Sequence, residues 1–194
     1  MELRLDERLL ALREQAKEGR DPTCADETLE LLLKTAENFH PARILEIGAA
    51  EGLTSVAFCL TGARVTAIER DAARAATARR HFAAFGVTES VELLEGDAGE
   101  ILPLLREEYD IIFLDGPKVQ YKKYLPDCKR LLKKGGILFS DDVLLFGWVR
   151  GEAPKKRRML VEHIREYLQT LEADPALETE ILELGEGLAV SRKK

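Results

Sequence analysis

Short apolar runs and helical repeats alternate along the chain. Runs rich in Ile, Leu, Val and Phe, each bounded by Gly or a polar turn, predict buried strands. Apolar residues at spacings of three and four predict helices between them. Strands that alternate with helices indicate a parallel sheet with helices on both faces, an α/β fold. The five predicted parallel strands are ARILEIG, RVTAIE, VELLEG, DIIFLD and GGILFSD, which cover residues 42–48, 64–69, 91–96, 110–115 and 135–141.

The two ends of the chain carry different patterns. One helix from about residue 6 and another over 26–39 precede the first strand, and DPT (21–23) separates them. At the other end ETEILEL and GLAVSRK predict two strands whose short link forces an antiparallel pair. The length of 194 residues suits one domain, 1–194, with N-terminal helices in 1–40 and the core in 41–194. The remaining predicted helices cover 53–60, 72–85, 98–105, 121–132 and 157–171.

Composition narrows the class of protein. The three cysteines are odd in number and form no C-x-x-C, which argues against a disulfide framework and against zinc. No N-terminal stretch resembles a signal peptide and no apolar run is long enough to cross a bilayer, so we expect a cytoplasmic protein without membrane contact. The net charge of −6 argues against indiscriminate binding of nucleic acid.

Three carboxylates follow the last two parallel strands. Asp115 ends DIIFLD, and Asp141 and Asp142 end GGILFSDD. Ligands of open α/β sheets bind beside the carboxyl ends of strands, so the three side chains are expected at one site. They would repel one another unless a cation lay between them, and oxygen ligands suit a hard divalent ion such as Mg²⁺. The sequence therefore predicts a metal site made by Asp115, Asp141 and Asp142.

A second group of signals, at the ends of the first three strands, indicates a nucleoside pocket. Gly48 and Gly52 form G-x-x-x-G, which lacks the central glycine of dinucleotide enzymes. Glu69 is placed to accept hydrogen bonds from ribose hydroxyls, and Asp97 from an adenine amino group. A nucleoside bound by acids and without phosphate describes S-adenosylmethionine (SAM). Gly48 could instead form only a tight turn, and Glu69 or Asp97 only a helix N-cap.

In order and spacing, the motifs LEIGAAEG, IERD, EGDA, YDIIFLDGPK and GGILFSDDV resemble those of the metal-dependent, catechol-type class I O-methyltransferases. The resemblance runs from Thr23 to the C-terminus. Within that family VLLFGWV, PKKRR and GEGLAVS are similar to the tail of the bacterial tRNA 5-hydroxyuridine methyltransferases. The resemblance implies a Rossmann-like, seven-stranded, mostly parallel sheet that ends in an antiparallel hairpin, and commonly a homodimer.

The resemblance also implies roles for residues at the strand ends. Lys118 corresponds to the family's catalytic lysine, and Asp115 is implied to take part in catalysis and to border the cofactor. The chain departs from the family where Asp142 replaces the usual Asn and DGPK replaces the commoner D-A-x-K. The added charge of Asp142 would strengthen cation binding but weaken the ion as a Lewis acid. The implied SAM contacts are Glu69, Asp97 and Ala98 on the adenosine side, and Glu46, Gly48 and Thr54 on the methionine side.

The charge distribution bears on the acceptor of the methyl group. Residues 118–158 carry twelve basic and four acidic side chains, a local charge of +8. The irregular segment 143–154 contains aromatic residues that could stack on a base, or could simply pack on the core or on a second subunit. On charge alone, ordinary solvated helix faces are the favoured interpretation. The resemblance to the tRNA 5-hydroxyuridine methyltransferases implies tRNA as the acceptor, with 5-hydroxyuridine of the anticodon loop methylated to 5-methoxyuridine, and the basic stretch and the aromatic residues would fit such a substrate. The candidate RNA-contacting residues are Phe146, Trp148, Arg150, Lys155, Lys156, Arg157 and Arg158.

Two alternatives stay open. A small catechol-like acceptor would use the same metal and cofactor sites, and the basic residues would then be ordinary solvated helix faces. A protein of another class, a nucleotide-binding module without chemistry, would bind NAD or no ligand. In the enzyme, binding to Mg²⁺ would lower the pKa of an acceptor hydroxyl and fix its direction. Lys118 would then either accept the proton or act as a fixed positive charge.

Overall fold

Seven strands form one sheet in the computed structural model, which describes residues 6–19 and 23–194. Their bounds are β1 Arg43–Ile47, β2 Arg64–Glu69, β3 Val91–Glu95, β4 Tyr109–Leu114, β5 Leu132–Ser140, β6 Leu177–Leu182 and β7 Leu188–Lys193. Their order is β3-β2-β1-β4-β5-β7-β6. Pairs from β3 to β5 are parallel, whereas β7 is antiparallel to β5 and to β6. The predicted seven-stranded, mostly parallel sheet with a C-terminal antiparallel hairpin is confirmed.

Seven α-helices occur within the described residues. They are α1 Glu7–Gly19, α2 Asp26–Ala36, α3 Leu53–Leu60, α4 Ala72–Ala84, α5 Ala98–Ile101, α6 Tyr121–Leu131 and α7 Arg158–Ala173. The prediction of a helix to residue 39 is wrong. The residue before Pro41 disfavours the helical conformation. The backbone accordingly leaves the α-helix after Ala36 and forms tighter turns, with hydrogen bonds that span three residues, before it reaches Pro41. The predicted helix over 98–105 is also wrong, since Pro103 has no N–H to continue it and a 3₁₀ turn follows α5. The predicted DPT break lies largely outside the described residues.

Two apolar layers cover the sheet, one on each face. On one face α1, α2, α3 and α4 pack on strand residues that include Ile44 and Phe113. On the other face α5, α6 and α7 pack on residues that include Leu45 and Ile112. Neighbouring strand residues point to opposite faces, as the pleat requires. The predicted helices on both faces are confirmed, and no helix within residues 6–19 and 23–194 is long and apolar enough to cross a bilayer.

The carboxyl ends of β1, β4 and β5 lie side by side in the middle of the sheet. Ile47 pairs with Leu114, and Leu114 pairs with Ser140. The order of strands reverses between β1 and β4, and ligands of parallel sheets bind in the crevice at such a point. The fold therefore brings the segments that follow these strands, 48–52, 115–118 and 141–142, to one edge of the sheet.

Residues 143–154 form neither helix nor strand, as predicted, and this loop docks on the turn between β6 and β7. The N–H groups of Val143 and Leu144 donate to the carbonyl oxygens of Gly187 and Glu186 at 2.9 and 2.8 Å. A Cβ on Gly187 would lie 2.3 Å from Leu144 Cγ, so only glycine permits the approach. The hairpin thus fixes the start of the loop next to the acidic strand ends.

Candidate active site

A cavity of about 810 Å³ opens at the carboxyl ends of β1, β2, β3 and β4. Its walls carry seven carboxylate side chains and three cationic ones, so a ligand meets a surface of net negative charge. Such a surface suits a positively charged ligand, as the sulfonium and ammonium groups of SAM provide. The predicted site residues that line the cavity are Glu46, Gly48, Thr54, Glu69, Asp97, Ala98, Asp115, Lys118 and Asp142.

The turn after β1 depends on Gly48. This residue has a φ of +95°, and a Cβ there would lie 2.4 Å from the carbonyl oxygen of Asp115. The N–H groups of Gly48 and Ala49 both donate to the carbonyl oxygen of Ile68 at 3.0 Å. Glycine is needed because the turn passes directly against the backbone that follows β4. This contact sets the spacing between the cofactor side and the aspartate side of the site.

Glu69 ends β2, and its carboxylate braces the turn after β1. One carboxylate oxygen accepts from the N–H of Ala50 at 2.8 Å, and the other accepts from the N–H of Asp71 at 2.7 Å. Each oxygen keeps further acceptor capacity, which two ribose hydroxyls would use. Glu69 thus holds the turn and also presents acceptors to the cavity.

Asp97 and Ala98 lie at the end of β3. Asp97 Oδ1 accepts from the N–H of Gly99 at 2.7 Å, so the helix N-cap interpretation is correct for one of its oxygens. Its other oxygen lies 3.7 Å from Arg70 Nη1 on the exposed rim of the cavity. Both Asp97 and Ala98 line the cavity, so the cap leaves the predicted adenosine contact open.

Glu46 lines the cavity and is almost completely buried. The Ser55 hydroxyl donates to its carboxylate, and no ion pair within the described residues involves Glu46. Burial raises the pKa of Glu46 to about 8; the Ser55 hydrogen bond opposes this, and the charges of Asp115 and Glu69 add to it. At neutral pH Glu46 is therefore largely protonated when no cation occupies the cavity. Thr54, next to Ser55, is also buried on the cavity wall.

On the acceptor side, Lys118 lies between two of the three aspartates. Its Nζ is 2.9 Å from Asp115 Oδ1 and 3.1 Å from Asp142 Oδ2. Asp141 is nearly fully buried, accepts from the N–H of Asp142 at 3.0 Å, and makes no ion pair within the described residues. Asp142 has a φ of +55°, in the left-handed region. Two of the three carboxylates therefore share the ammonium group of Lys118, and the third, Asp141, makes no ion pair within the described residues.

Burial and mutual repulsion control protonation in this cluster. Burial, followed by the charges of Asp115 and Asp142, raises the pKa of Asp141 to about 7. Burial also raises the pKa of Asp115, against the effect of Lys118. Burial alone would lower the pKa of Lys118, but the neighbouring carboxylates of Asp115 and Asp142 outweigh it and hold that pKa well above its usual range. The ion pairs with Asp115 and Asp142 therefore favour the protonated form of Lys118.

The three aspartates fit a divalent cation in donor type and in charge, but not in their present arrangement. Among residues 6–19 and 23–194, no three His, Cys, Asp or Glu side chains converge as a metal site. Lys118 stands between Asp115 and Asp142 instead. Oxygen donors, surplus negative charge and a buried Asp141 without a counter-ion are nevertheless what a hard cation requires. The Mg²⁺ site remains a prediction.

Three contributors to the cavity wall have no clear signal in the sequence. Ala16 of α1 and Thr23 line the cavity, so the N-terminal segment takes part in the site. Neither is near a strand end in the sequence, and neither belongs to a recognisable motif. Tyr124 of α6 also lines the cavity. Its helical spacing from other apolar residues predicts only a core position.

The predicted RNA-contacting residues fall into three groups. Phe146 is 67% exposed, whereas Trp148 is partly buried and packs against the core. The centroids of the two rings are 5.0 Å apart. Arg150 forms an ion pair with Glu183. The third group is exposed and makes no ion pair within the described part of the chain: Lys155, Lys156, Arg157 and Arg158.

Comparison with known proteins defines the family. A profile described as O-methyltransferase matches residues 13–194. Tapetum-specific methyltransferase 1 of Arabidopsis thaliana is 31% identical over 159 residues, 77% of this chain and 68% of that protein. Catechol O-methyltransferase of Niastella koreensis is 30% identical over 73% of this chain and 66% of its own length. Caffeoyl-CoA O-methyltransferase of Populus kitakamiensis is 29% identical over 85% and 74%.

Solved structures show the same relationship. A Staphylococcus aureus protein, provisionally assigned as a caffeoyl-CoA O-methyltransferase, has a TM-score of 0.89 at 31% identity and covers 96% of this chain and 92% of its own. A Podospora anserina methyltransferase with bound S-adenosylhomocysteine has a TM-score of 0.87 at 26% identity, with 98% and 89% covered. The chain therefore belongs to the O-methyltransferase family. It is a SAM-dependent O-methyltransferase, and the interpretation as a non-catalytic nucleotide-binding module is set aside.

Proposed function

We propose that the chain methylates one of two adjacent oxygens on its acceptor with the help of a divalent cation, Mg²⁺ in the first instance. The observation that carries this proposal is the cluster of Asp115, Asp141, Asp142 and Lys118 beside a cavity of cofactor size. Displacement at a sulfonium methyl carbon needs an oxygen nucleophile in line with the breaking bond. Carboxylates in surplus would repel such an oxyanion unless cations compensated them.

The cofactor side supplies binding and orientation. Glu69 and Asp97 would accept hydrogen bonds from the ribose and the adenine of SAM. Glu46 would face the methionine ammonium, whose charge favours the ionised form of this buried acid. These three carboxylates lie along the ends of β1, β2 and β3, so the sulfonium methyl would be directed toward β4.

The acceptor side supplies charge compensation. Mg²⁺ would be held by Asp115, Asp141 and Asp142, and when bound it lowers the pKa of a hydroxyl that it contacts. The carboxylates around Lys118 raise its pKa and favour its protonated form. We assign it the role of a fixed positive charge toward the acceptor oxyanion, with the role of a base as the alternative.

We favour 5-hydroxyuridine of a tRNA anticodon loop as the acceptor. Its 5-hydroxyl and 4-carbonyl are the two adjacent oxygens that the site would hold. The exposed basic segment 155–158 follows the loop that starts next to Asp142, and RNA phosphates are suitable partners for such unpaired cations. The exposed ring of Phe146 would stack on a base displaced from the loop.

A small aromatic acceptor is the second candidate. It is favoured by the relatives whose names state catechol or caffeoyl-CoA as their substrate. Both compounds carry two adjacent hydroxyls on a ring. Caffeoyl-CoA also carries phosphates, which the basic segment 155–158 would bind as readily as it would bind RNA.

Methyl transfer from labelled SAM separates these acceptors. Three acceptors are compared: caffeoyl-CoA, a simple catechol, and tRNA that bears 5-hydroxyuridine. Each is assayed once with Mg²⁺ and once with a chelator added. We expect label on the tRNA, located by nucleoside mass spectrometry, and loss of transfer with the chelator. If methyl transfer occurred only to the small acceptors, the proposal of a tRNA substrate would be wrong and a small aromatic acceptor would take its place. Transfer that is insensitive to the chelator would contradict the role of the cation.

Charge neutralisation tests the basic segment. In Lys155→Gln/Lys156→Gln we expect kcat/KM for tRNA to fall about tenfold and its log–log salt slope to become shallower by about one to two. Transfer to catechol should not change. The matched control is Arg64→Gln/Lys134→Gln, two exposed cations near the amino ends of β2 and β5. Equal effects of the two double variants would count against an RNA contact at 155–158.

We also propose a homodimer, which the family resemblance implies. Exposed apolar side chains available for a second copy include Leu104, Phe146 and Met159. Size-exclusion chromatography with light scattering measures the mass of the particle in solution and so distinguishes a monomer from a dimer. A dimer gives about twice the chain mass of 21.7 kDa, and a mass near that of one chain would refute it.

A further inference from the structure

The hydroxyl of Tyr121 contacts the backbone of both strands that carry the aspartates. Tyr121 is the first residue of α6 and is completely buried. Its hydroxyl oxygen lies 2.9 Å from the carbonyl oxygen of Leu114 and 3.1 Å from that of Asp141. Leu114 immediately precedes Asp115. One side chain therefore reaches the main chain at or next to two of the three carboxylates.

This hydroxyl lies where it can set the spacing of two strand ends. β4 and β5 remain paired as far as Leu114 and Ser140. Just beyond that pair, the N–H of Asp141 donates to the carbonyl oxygen of Leu114 at 3.0 Å. A phenol has one proton to share between the two carbonyl oxygens, and a ring fixed in the core holds it in place. The hydroxyl ties the strands together at the last point before the aspartate side chains.

The ring of Tyr121 also supports Lys118. Lys118 Nζ lies 5.4 Å from the ring centroid, within cation–π range. The ring packs edge-on against Tyr167, with centroids 5.4 Å apart and planes inclined at 73°. Because Tyr121 is buried and does not line the cavity, it touches neither cofactor nor acceptor. Any effect on the reaction must pass through the residues that it holds.

We propose that Tyr121 is a positioning residue, whose shared hydroxyl hydrogen bond and ring fix the separation of Asp115 and Asp141 and the placement of Lys118. This inference deepens the proposed function and rests on it, because it assumes that these aspartates and the lysine direct methyl transfer. A small displacement of groups around the reacting atoms costs rate rather than cofactor binding. Most of the residues expected to bind the cofactor lie at the ends of β1, β2 and β3, away from Tyr121, so we expect the cofactor affinity to change little.

Removal of the hydroxyl alone tests the inference. In Tyr121→Phe we expect kcat to fall about tenfold, with the KM for SAM and the Kd for S-adenosylhomocysteine within about twofold of wild type. Tyr167→Phe is the matched control, since it removes an equally buried hydroxyl that bonds to the Ser140 side chain at 2.6 Å instead of to the two carbonyls. Its kcat should stay within about twofold. Equal losses in the two variants, or an unchanged kcat in Tyr121→Phe, would overturn the positioning role.

If Tyr121→Phe does not fold, two non-natural residues at position 121 still test the role of the hydroxyl proton. 4-Aminophenylalanine retains a donor on the ring, whereas 4-fluorophenylalanine has similar size and no donor. We expect the amino variant to keep kcat within about threefold of wild type and the fluoro variant to be about tenfold slower. Equal kcat values for the two variants would contradict a role for the hydroxyl proton.

Amide hydrogen exchange distinguishes a failure of this inference from a failure of the proposed function. If the wild-type chain methylated none of the acceptors, the proposed function would fail, but the tie between the strand ends could still be measured. We expect the N–H groups of Asp115 and Asp141 to exchange about tenfold faster in Tyr121→Phe than in Tyr167→Phe, with β1 unchanged. Equal exchange rates in the two variants would show that the Tyr121 hydroxyl does not hold the ends of β4 and β5 together, whatever the methyl-transfer assays showed.

Discussion

The two halves of the site are built in opposite ways. At the ends of β1, β2 and β3, the carboxylates of Glu46, Glu69 and Asp97 each accept a hydrogen bond from a neutral hydroxyl or a backbone N–H. After β4 and β5, Asp115 and Asp142 share the ammonium of Lys118, and Asp141 makes no ion pair within the described residues. Neutral donors therefore hold the three carboxylates of the cofactor half, whereas in the acceptor half two carboxylates are held by one cation and the third has no cation beside it.

The backbone shows a related contrast. In the cofactor half, two of the three left-handed positions between residues 48 and 52 are glycines. In the acceptor half, three larger residues have φ values of 48–58°: Asp142, Leu145 and Phe146. Each such residue costs about 1 kcal/mol or more, and persists only when its surroundings impose it. The docking of the loop on the β6–β7 turn imposes it here. The acceptor half thus combines uncompensated charge with backbone strain, as sites that await a ligand often do.

Asp141→Asn should have the largest effect and should separate the two halves. We expect kcat to fall about a hundredfold, because one of three cation-holding carboxylates is lost, while the KM for SAM changes less than about threefold. Initial rates at saturating Mg²⁺ measure both quantities. Burial raises the pKa of Asp141 to about 7, so its charge opposes folding above that pH. The variant should therefore be no less stable than wild type at pH 8.

Two companion variants test whether this effect belongs to the acceptor half. Asp110→Asn alters another buried aspartate, paired with Lys133 near the amino ends of β4 and β5, and should lower stability without changing kcat. Glu69→Gln should instead raise the KM for SAM about tenfold, with a smaller change in kcat. Wild-type kcat in Asp141→Asn would mean that the aspartates do not act on the chemical step.

Gly48→Ala breaks the contact between the halves. The added Cβ would lie 2.4 Å from the carbonyl oxygen of Asp115, at a φ of +95°. We expect the free energy of unfolding to fall by roughly 3 kcal/mol. Gly62→Ala is the matched control, since it has a φ of +88° and nothing within 4 Å, and it should cost only about 1 kcal/mol. Urea denaturation measures both, and equal losses would show that the close approach at Gly48 is unimportant.

Glu46→Gln tests protonation in the cofactor half. Burial raises the pKa of Glu46 from 4.5 to about 8, so over that range the folded chain holds a proton that the unfolded chain has released. The stability from this proton is fully present below the lower pKa and is lost as pH rises through the upper one. Between pH 5.5 and 8.5, wild type should lose on the order of 2–3 kcal/mol more than the variant in urea denaturation. Parallel pH curves would show that Glu46 is ionised in the folded chain.

Arg70→Ala should have the smallest effect. The guanidinium of Arg70 lies 3.7 Å from Asp97 on an exposed rim, where such pairs contribute little. We expect the Tm to change by less than about 1 °C and the KM for SAM by less than about twofold. A much larger rise in KM would mean that Arg70 contacts the cofactor and that the cofactor half extends further than Asp97.

The fold and the cofactor half could be predicted from the sequence because local patterns mark them. An apolar run that stops at Gly48 or Glu69 identifies a strand end, and parallel topology brings such ends together. The arrangement of the acceptor half could not be predicted in the same way. The sequence places Lys118 three residues after Asp115, but this spacing does not reveal which way a flexible side chain turns. The orientation of the Lys118 side chain depends on its ion pair with Asp142, which follows a different strand, β5.

Contacts between distant segments explain the remaining differences. Trp148 packs on the core while Phe146 stays exposed, and this depends on a loop that Gly187 allows to dock on the far hairpin. The early end of α2 and the short α5 follow from Pro41 and Pro103. Both prolines are visible in the sequence, but the helical spacing of apolar residues predicted longer helices in both places.

Anomalous diffraction most directly tests whether a divalent cation belongs among the three aspartates. Crystals would be grown with S-adenosylhomocysteine and Mn²⁺, which stands in for Mg²⁺. We predict one strong anomalous peak about 2.1 Å from carboxylate oxygens of Asp115, Asp141 and Asp142, with Lys118 turned away from at least one of its present partners. An ordered cofactor, no peak at that position and Lys118 still bonded to both Asp115 and Asp142 would contradict a metal-dependent mechanism.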